Sequence, residues 1–148
     1  MKTKILVSAC LLGENCKYNG GNNKNEDIIS LGEIFELIPV CPECFAGLPV
    51  PRLPSEINNG RVYSKAGEDL TSKFRYGAEQ TLYIARECNA PAAVLKERSP
   101  SCGFGEIYDG TFTGKLCKGS GFTAELLDIS GIAVFGESNI KKLINLYS

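Results

Sequence analysis

The sequence KILVSACLLG at residues 4–13 decides how the fold is expected to begin. Its apolar residues follow one another without a break and include the β-branched Ile5 and Val7. A short continuous apolar run of this composition predicts a buried β-strand, here over Lys4–Ala9. Cys10 follows at once, so the sequence places a thiol directly at the end of the first strand.

The rest of the chain alternates between predicted strands and predicted helices. Further strands are predicted at Leu37–Val40, Ala92–Leu95 and Ile132–Phe135, with a short extended piece at Arg61–Ser64. Helices are predicted at Glu26–Glu36, Leu70–Cys88, Phe122–Ile129 and Ser138–Leu146, and a hairpin around Asp109-Gly110. This alternation favours a mainly parallel sheet flanked by helices on both faces, a Rossmann-like three-layer α/β fold. No linker interrupts the pattern, so we expect residues 1–148 to form a single domain.

Composition excludes several classes of function. The chain has 148 residues, 43% of them hydrophobic, and a net charge of −1 without a block of like charge. We therefore expect no dedicated nucleic-acid surface. No apolar run is long enough to span a membrane, and the apolar start is too short and too strand-like for a signal peptide. These observations predict a cytoplasmic protein.

Seven cysteines and the absence of histidine restrict the possible chemistry. Catalysis by a Ser-His or Cys-His pair is impossible within one chain without histidine. An odd number of cysteines in a chain that can build its own core does not indicate a disulfide framework. Any metal must be bound by thiolates and oxygens, and sulfur-rich sites favour zinc, Cu(I) or iron–sulfur clusters.

Three of the cysteines follow predicted strands. Cys10 comes directly after the first strand, Cys41 directly after the second, and Cys102 a few residues after the third. Open α/β sheets bind ligands beyond the carboxyl ends of their strands, where these thiols would converge. The sequence therefore predicts a metal site at that edge. Cys88 continues an apolar helical stripe, and it and Cys117 are predicted to be structural.

The C-x-x-C motif Cys41–Cys44 has three interpretations: a redox dithiol, half of a zinc site or part of a cluster site. The residues that follow, Phe45–Pro51, are poor helix formers, which argues against a thioredoxin-like motif. Glu43 inside the motif is either a general acid/base beside the metal or a solvated loop residue. Cys16 lies in the polar loop after the first strand, and the sequence leaves open whether its thiol contacts the predicted metal site.

Several separated motifs resemble those of a bacterial family that includes the 2-thiouracil desulfidases. They are Val7–Gly13, Lys17–Gly20, Pro39–Glu43, Gly47–Arg52 and Leu95–Gly103, with further similarity at Gly121–Ala124 and Gly131–Val134. The resemblance runs nearly from end to end, and the motifs occur in the same order.

The resemblance implies an enzyme that carries a [4Fe–4S] cluster held by only Cys10, Cys41 and Cys102. The fourth iron would be open to the substrate, a small thiolated pyrimidine such as 2-thiouracil or a related thiocarbonyl compound. The implied reaction replaces the thiocarbonyl by a carbonyl and releases sulfide without net redox change.

The resemblance also implies residues that position water and move protons. Glu43 and Cys44 match the family's site motif, and a serine, Ser101 or its neighbour Ser99, is the third candidate. Two alternatives stay open. One is a non-catalytic zinc or iron–sulfur module closed by four cysteines, and the other is a thiol–disulfide protein that uses Cys41 and Cys44.

Overall fold

The computed structural model describes residues 2–148, which form eight strands and five α-helices. The strands are β1 (Thr3–Ser8), β2 (Phe35–Val40), β3 (Ser55–Asn58), β4 (Arg61–Ser64), β5 (Ala92–Leu95), β6 (Glu106–Tyr108), β7 (Leu116–Lys118) and β8 (Ala133–Gly136). The helices are α1 (Glu26–Ser30), α2 (Pro42–Phe45), α3 (Thr71–Glu87), α4 (Phe122–Ile129) and α5 (Ile140–Tyr147). Short 3-10 turns occupy Ala9–Leu12, Leu31–Glu33 and Glu137–Asn139.

A four-stranded parallel sheet forms the centre of the fold. Its strand order is β2-β1-β5-β8, and every neighbouring pair is parallel. Ile5 in β1 pairs with Leu37 on one side and Ala92 on the other, so β1 is an interior strand. This architecture confirms the predicted α/β fold with a mainly parallel sheet. The antiparallel hairpins β3–β4 and β6–β7 stand outside the sheet.

Helices cover both faces of the sheet. Side chains alternate along a strand, so β1 sends Leu6 to one face and Val7 to the other. Leu6 packs in one core cluster with Leu127 of α4, and α3 borders the same cluster. Val7 packs in a second cluster with Ile28 of α1 and Leu143 of α5. All five side chains are fully buried, and the sheet is therefore the middle of three layers.

The first predicted helix is shorter than expected. Helix α1 ends at Ser30, and a 3-10 turn over Leu31–Glu33 leads directly into β2. Strand β2 starts at Phe35, two residues before the predicted start, because Phe35 pairs with Thr3 and its ring is fully buried. Burial of one large aromatic side chain outweighs the helical spacing of the preceding apolar residues.

The irregular stretch after β2 contains two elements that the sequence did not predict. One is the single-turn helix α2, which has Pro42 at its first position. The other is β3, which pairs with the predicted extended piece β4. The predicted hairpin near Asp109 is confirmed by the pairing of β6 with β7.

The strand order brings three carboxyl ends to one edge. Connections from β1 run to β2 on one side, whereas β5 lies on the other side of β1. This is the topological switch point at which parallel sheets open a crevice for ligands. Within residues 2–148, no helix has the length and apolar character needed to cross a membrane.

Candidate active site

A cavity of ≈ 540 Å³ is lined by residues that follow the carboxyl ends of β1, β2 and β5. Five of the six predicted site residues line it: Cys10, Cys41, Glu43, Ser101 and Cys102. Cys44 is the exception. Its thiol hydrogen-bonds to Cys41 but does not line the cavity. The topology therefore brings together side chains that are up to 92 residues apart in the chain, from Cys10 to Cys102.

Three of the cavity thiols are placed by short elements or turns that follow strands. Cys10 lies in the 3-10 turn that follows β1. Cys41 is the residue before the first turn of α2 and has an extended backbone. Cys102 lies in a turn after β5, where its N–H donates to the Ser99 hydroxyl at 3.0 Å. The ends of β1 and β5 are joined by the N–H of Lys96, which donates to the Ser8 hydroxyl at 2.8 Å.

The three cavity thiols that follow strand ends, Cys10, Cys41 and Cys102, have raised pKa values. Burial raises the pKa of Cys10 and raises that of Cys102 to about 12. A hydrogen bond with Cys16, with burial as the second cause, raises the pKa of Cys41. Metal ligation requires thiolates, so a metal that binds here displaces the protons of these thiols.

Asn23 and Ser101 each place a polar side-chain atom within hydrogen-bonding distance of a cavity sulfur. Nδ2 of Asn23 lies 3.4 Å from Sγ of Cys10. The Ser101 hydroxyl lies 3.7 Å from Sγ of Cys102. Such donors stabilise a thiolate and tune any metal centre that it binds. Sequence reasoning missed Asn23, because no spacing relates a loop asparagine to a thiol 13 positions earlier.

Glu43 lies in a polar network rather than in solvent. Its Oε1 accepts from Nε of Arg52 at 3.1 Å, and its Oε2 accepts from the Ser101 hydroxyl at 2.9 Å. The side chains of Arg52 and Glu43 are only 9% and 16% exposed. A carboxylate held this way has both oxygens oriented, and the interpretation of Glu43 as a solvated loop residue does not fit.

The two candidate serines have different surroundings. The Ser99 hydroxyl accepts from the backbone N–H groups of Ser101 and Cys102 at 3.1 and 3.0 Å, and so it shapes the turn. The Ser101 hydroxyl instead lies within reach of Glu43 and of the Cys102 sulfur. Of the two serines, Ser101 contacts Glu43 directly, and Ser99 contacts it only through the Ser101 hydroxyl at 3.0 Å.

Cys16 lines the cavity as a fourth thiol. Its hydrogen bond with Cys41 lowers the pKa of Cys16 below its usual value. Its backbone carbonyl accepts from Nη2 of Arg52 at 3.0 Å, so the same arginine holds both Cys16 and Glu43. The sequence left the position of this thiol open.

The two remaining cysteines lie outside the cavity lining. Cys88 packs against the core cluster beside α3, as predicted. Cys117 is exposed on β7, so it is not a core residue.

The geometry gives no support to the zinc alternative. Within residues 2–148, no three His, Cys, Asp or Glu side chains lie close enough to enclose a single metal ion. A four-iron cluster carries its iron atoms at separate corners, so its thiolates stand farther apart than those around one ion. Thiols from three different strand ends line this cavity.

The C-x-x-C pair also lacks the property of a redox dithiol. Burial raises the pKa of Cys44 to about 11, and the pKa of Cys41 is raised as well. In thiol–disulfide enzymes the attacking thiol has a lowered pKa. The structure thus gives no support to a thioredoxin-like function.

Comparison with known proteins settles the family. Residues 5–139 match the family model described as 2-thiouracil desulfurase. The chain belongs to the 2-thiouracil desulfurase family. The resemblance predicted from the sequence motifs is thereby confirmed.

Two similar proteins show how far the similarity extends. The uncharacterized protein YbbK of Bacillus subtilis (strain 168) is 42% identical over 150 residues, which cover 95% of this chain and 99% of YbbK. The solved structure of the [4Fe-4S]-dependent thiouracil desulfidase TudS is 41% identical and superposes with a TM-score of 0.91. That match covers 97% of this chain and 96% of TudS.

Proposed function

We propose that this protein is an iron–sulfur-dependent enzyme that removes sulfur from thiouracil. Water supplies the oxygen, the C=S bond becomes C=O, and the sulfur leaves as sulfide, so that no electrons are gained or lost overall. The observation that carries the proposal is the convergence of the three strand-end thiols, a carboxylate and a hydroxyl on one cavity. Membership of the desulfurase family and the similarity to TudS support it.

Cys10, Cys41 and Cys102 are the proposed ligands of a [4Fe–4S] cluster. Each lies on the cavity and each comes from a different strand end, so the donor set is made of sulfur alone. When bound through three thiolates, the cluster supplies one iron without a protein ligand, which acts as a Lewis acid toward the substrate sulfur. This site at the carboxyl ends of the strands is the one expected from the sequence.

Glu43 and Ser101 are proposed to transfer protons from the attacking water and to the leaving sulfur. Water must lose a proton as it becomes a nucleophile, and the leaving sulfur must gain one. The Ser101 hydroxyl stands between Oε2 of Glu43 and the Cys102 sulfur, so it can pass a proton between the water and the carboxylate. Arg52 holds Oε1 of Glu43 and thereby fixes the orientation of the accepting oxygen.

Cys44 has a different proposed role from the one its motif indicates. Its thiol contacts Cys41 and does not line the cavity. It therefore acts through the ligand Cys41 and does not touch the substrate. Because Cys44 does not line the cavity, it is not included among the proposed ligands.

The cavity limits the substrate to a small molecule. A volume of ≈ 540 Å³ is in the range of single small-molecule sites, which suits one pyrimidine ring beside a cluster. A planar thiolated pyrimidine is therefore the proposed substrate class.

Sulfide release from 2-thiouracil tests the proposal. The protein is purified without oxygen, its cluster is reconstituted, and sulfide and uracil are measured together. We expect the two products in equal amounts and without added reductant or oxidant. Protein that retains its full complement of iron and sulfide yet releases no sulfide from 2-thiouracil contradicts the proposal. Metal-free protein is the control for non-enzymatic hydrolysis.

A further inference from the structure

An aromatic residue in a strained backbone conformation lies at the cavity. Within residues 2–148, four non-glycine residues have φ in the left-handed region, and two of these are asparagines, which tolerate it. The other two, Arg98 (φ 72°) and Phe112 (φ 57°), both line the cavity. Strained residues of this kind persist only where the surrounding structure holds them, and they concentrate at ligand sites.

Phe112 is held by one carboxylate oxygen. Oε1 of Glu56, in β3, accepts from the backbone N–H groups of Phe112 and Gly110, each at 3.0 Å. Two hydrogen bonds to one charged acceptor fix the backbone at the turn between β6 and β7. Glu56 itself lines the cavity, so the support and the supported residue belong to the same wall.

The turn is also pressed against β3. Gly110 has φ 93°, and a Cβ at this position would lie 2.7 Å from the carbonyl oxygen of Ile57. Only glycine permits both the conformation and this close approach. The turn thus has a defined position relative to β3, and Phe112 is carried to the cavity as part of a rigid unit.

We propose that Phe112 is the stacking surface for the planar ring of the substrate and that Glu56 is its positioning residue. This inference rests on the proposed function and adds the residue that orients the ring. A single bond from sulfur to a metal leaves a heterocycle free to rotate about that bond. A flat aromatic face removes this freedom, because stacked rings prefer parallel, offset contact.

Stacking on the Phe112 ring requires only that the ring of the ligand is flat. A phenyl ring stacks on any pyrimidine face and does not discriminate oxygen from sulfur. The Phe112 ring therefore binds both 2-thiouracil and the product uracil. The step that is specific for sulfur takes place beside Cys10, Cys41 and Cys102. The strain fixes the direction of the ring before the substrate arrives.

The variant Phe112→Leu tests the stacking role. It keeps an apolar side chain but removes the ring. We expect KM for 2-thiouracil and the dissociation constant for uracil to rise at least about tenfold. Iron and sulfide content stays at the wild-type level. Phe112→Tyr, which keeps the ring, restores both constants.

Two further sets of variants separate positioning from general damage. Glu56→Ala removes the acceptor and raises KM as Phe112→Leu does, whereas Glu56→Gln keeps a carbonyl oxygen and stays close to wild type. Phe104→Leu is the matched control, since Phe104 is 41% exposed and does not line this cavity.

Uracil binding, measured by equilibrium dialysis, keeps this inference apart from the proposed function. If wild type releases sulfide but Phe112→Leu retains wild-type KM and uracil affinity, the stacking role is wrong and the desulfidase function stands. If wild type releases no sulfide, the proposed function fails, and the uracil measurement still decides the inference. A tenfold weaker affinity in Phe112→Leu supports it, and no uracil binding by wild type overturns it.

Discussion

The Ser101 hydroxyl lies 2.9 Å from Oε2 of Glu43, although the two residues are 58 positions apart. Ser101 follows β5 and Glu43 lies in the single turn of α2 after β2. The same hydroxyl is 3.7 Å from the Cys102 sulfur. The Ser101 hydroxyl therefore contacts both the proposed proton acceptor and the sulfur of a proposed metal ligand, and we predict that Glu43 and Ser101 act as one unit in a shared proton path.

Replacement of Glu43 by glutamine removes the proton acceptor and keeps the shape of the side chain. We expect Glu43→Gln to lower kcat for sulfide release by a factor of about 10² to 10⁴, because general acid–base catalysis is lost. Iron and sulfide per chain stay at the wild-type value. Steady-state kinetics with 2-thiouracil, together with iron analysis of the same samples, makes the test.

A shared proton path also predicts how a double variant behaves. If Glu43 and Ser101 act as a unit, Glu43→Gln combined with Ser101→Ala is no slower than the worse single variant. Rate losses that multiply would contradict a shared path and indicate two independent roles.

Arg52 is predicted to stabilise the site through a buried ion pair. Its guanidinium contacts Glu43, the Pro49 carbonyl and the Cys16 carbonyl. Arg52→Met leaves the Glu43 carboxylate buried without its partner, which costs about 3 kcal/mol or more of the free energy of unfolding. Urea denaturation measures this loss, and we also expect kcat to fall because the carboxylate loses its orientation.

The exposed pair between Arg61 and Asp69 is the control for this variant. Its side chains are 54% and 38% exposed, so solvent screens the interaction. Arg61→Met should therefore unfold close to wild type and retain full activity. Equal stability of Arg52→Met and wild type would show that the Arg52–Glu43 contact contributes nothing.

Gly77 is predicted to set the position of α2 against α3. A Cβ at this position would lie 2.2 Å from the carbonyl oxygen of Pro42, which is between the proposed ligand Cys41 and Glu43. Gly77→Ala forces the backbone of α2 to move. Overpacking costs about 1–3 kcal/mol, more than the roughly 1 kcal/mol that alanine gains in a helix.

We therefore expect Gly77→Ala to melt at a lower temperature and to hold less iron than wild type. Gly32→Ala is the control, because its nearest neighbour would be a Leu37 methyl group at 3.7 Å, an ordinary contact. A Gly77→Ala protein with wild-type melting temperature and iron content would show that the α2–α3 contact does not position the site.

The sheet and the thiols could be predicted because local pattern determines them. Buried apolar runs predict strands, and the residue after a parallel strand has to lie at the sheet edge. Cys10 and Cys41 directly follow such runs, so their convergence required no knowledge of long-range contacts. The family resemblance added the reaction, and the set of three ligands that it implies stays a prediction.

The surroundings of the thiols could not be predicted in the same way. Arg52 lies in a stretch without periodicity, and its contact with Glu43 depends on the path of the intervening loop. Phe112 reaches the cavity only because β6 and β7 form a hairpin held by Glu56. Cys16 and Asn23 lie in a polar loop, where no spacing rule relates a side chain to its neighbours in space. Tertiary contacts of this kind leave no local signal in the sequence.

Iron and acid-labile sulfide per chain, measured after anaerobic purification, test the central claim most directly. The variants are the single alanine replacements of the five cysteines in and beside the cavity: Cys10, Cys16, Cys41, Cys44 and Cys102. We predict about four iron atoms per chain in wild type, lost without Cys10, Cys41 or Cys102 and kept without Cys16 or Cys44. Stoichiometric zinc, or a cluster that also requires Cys16 or Cys44, would contradict an open site with three thiolate ligands.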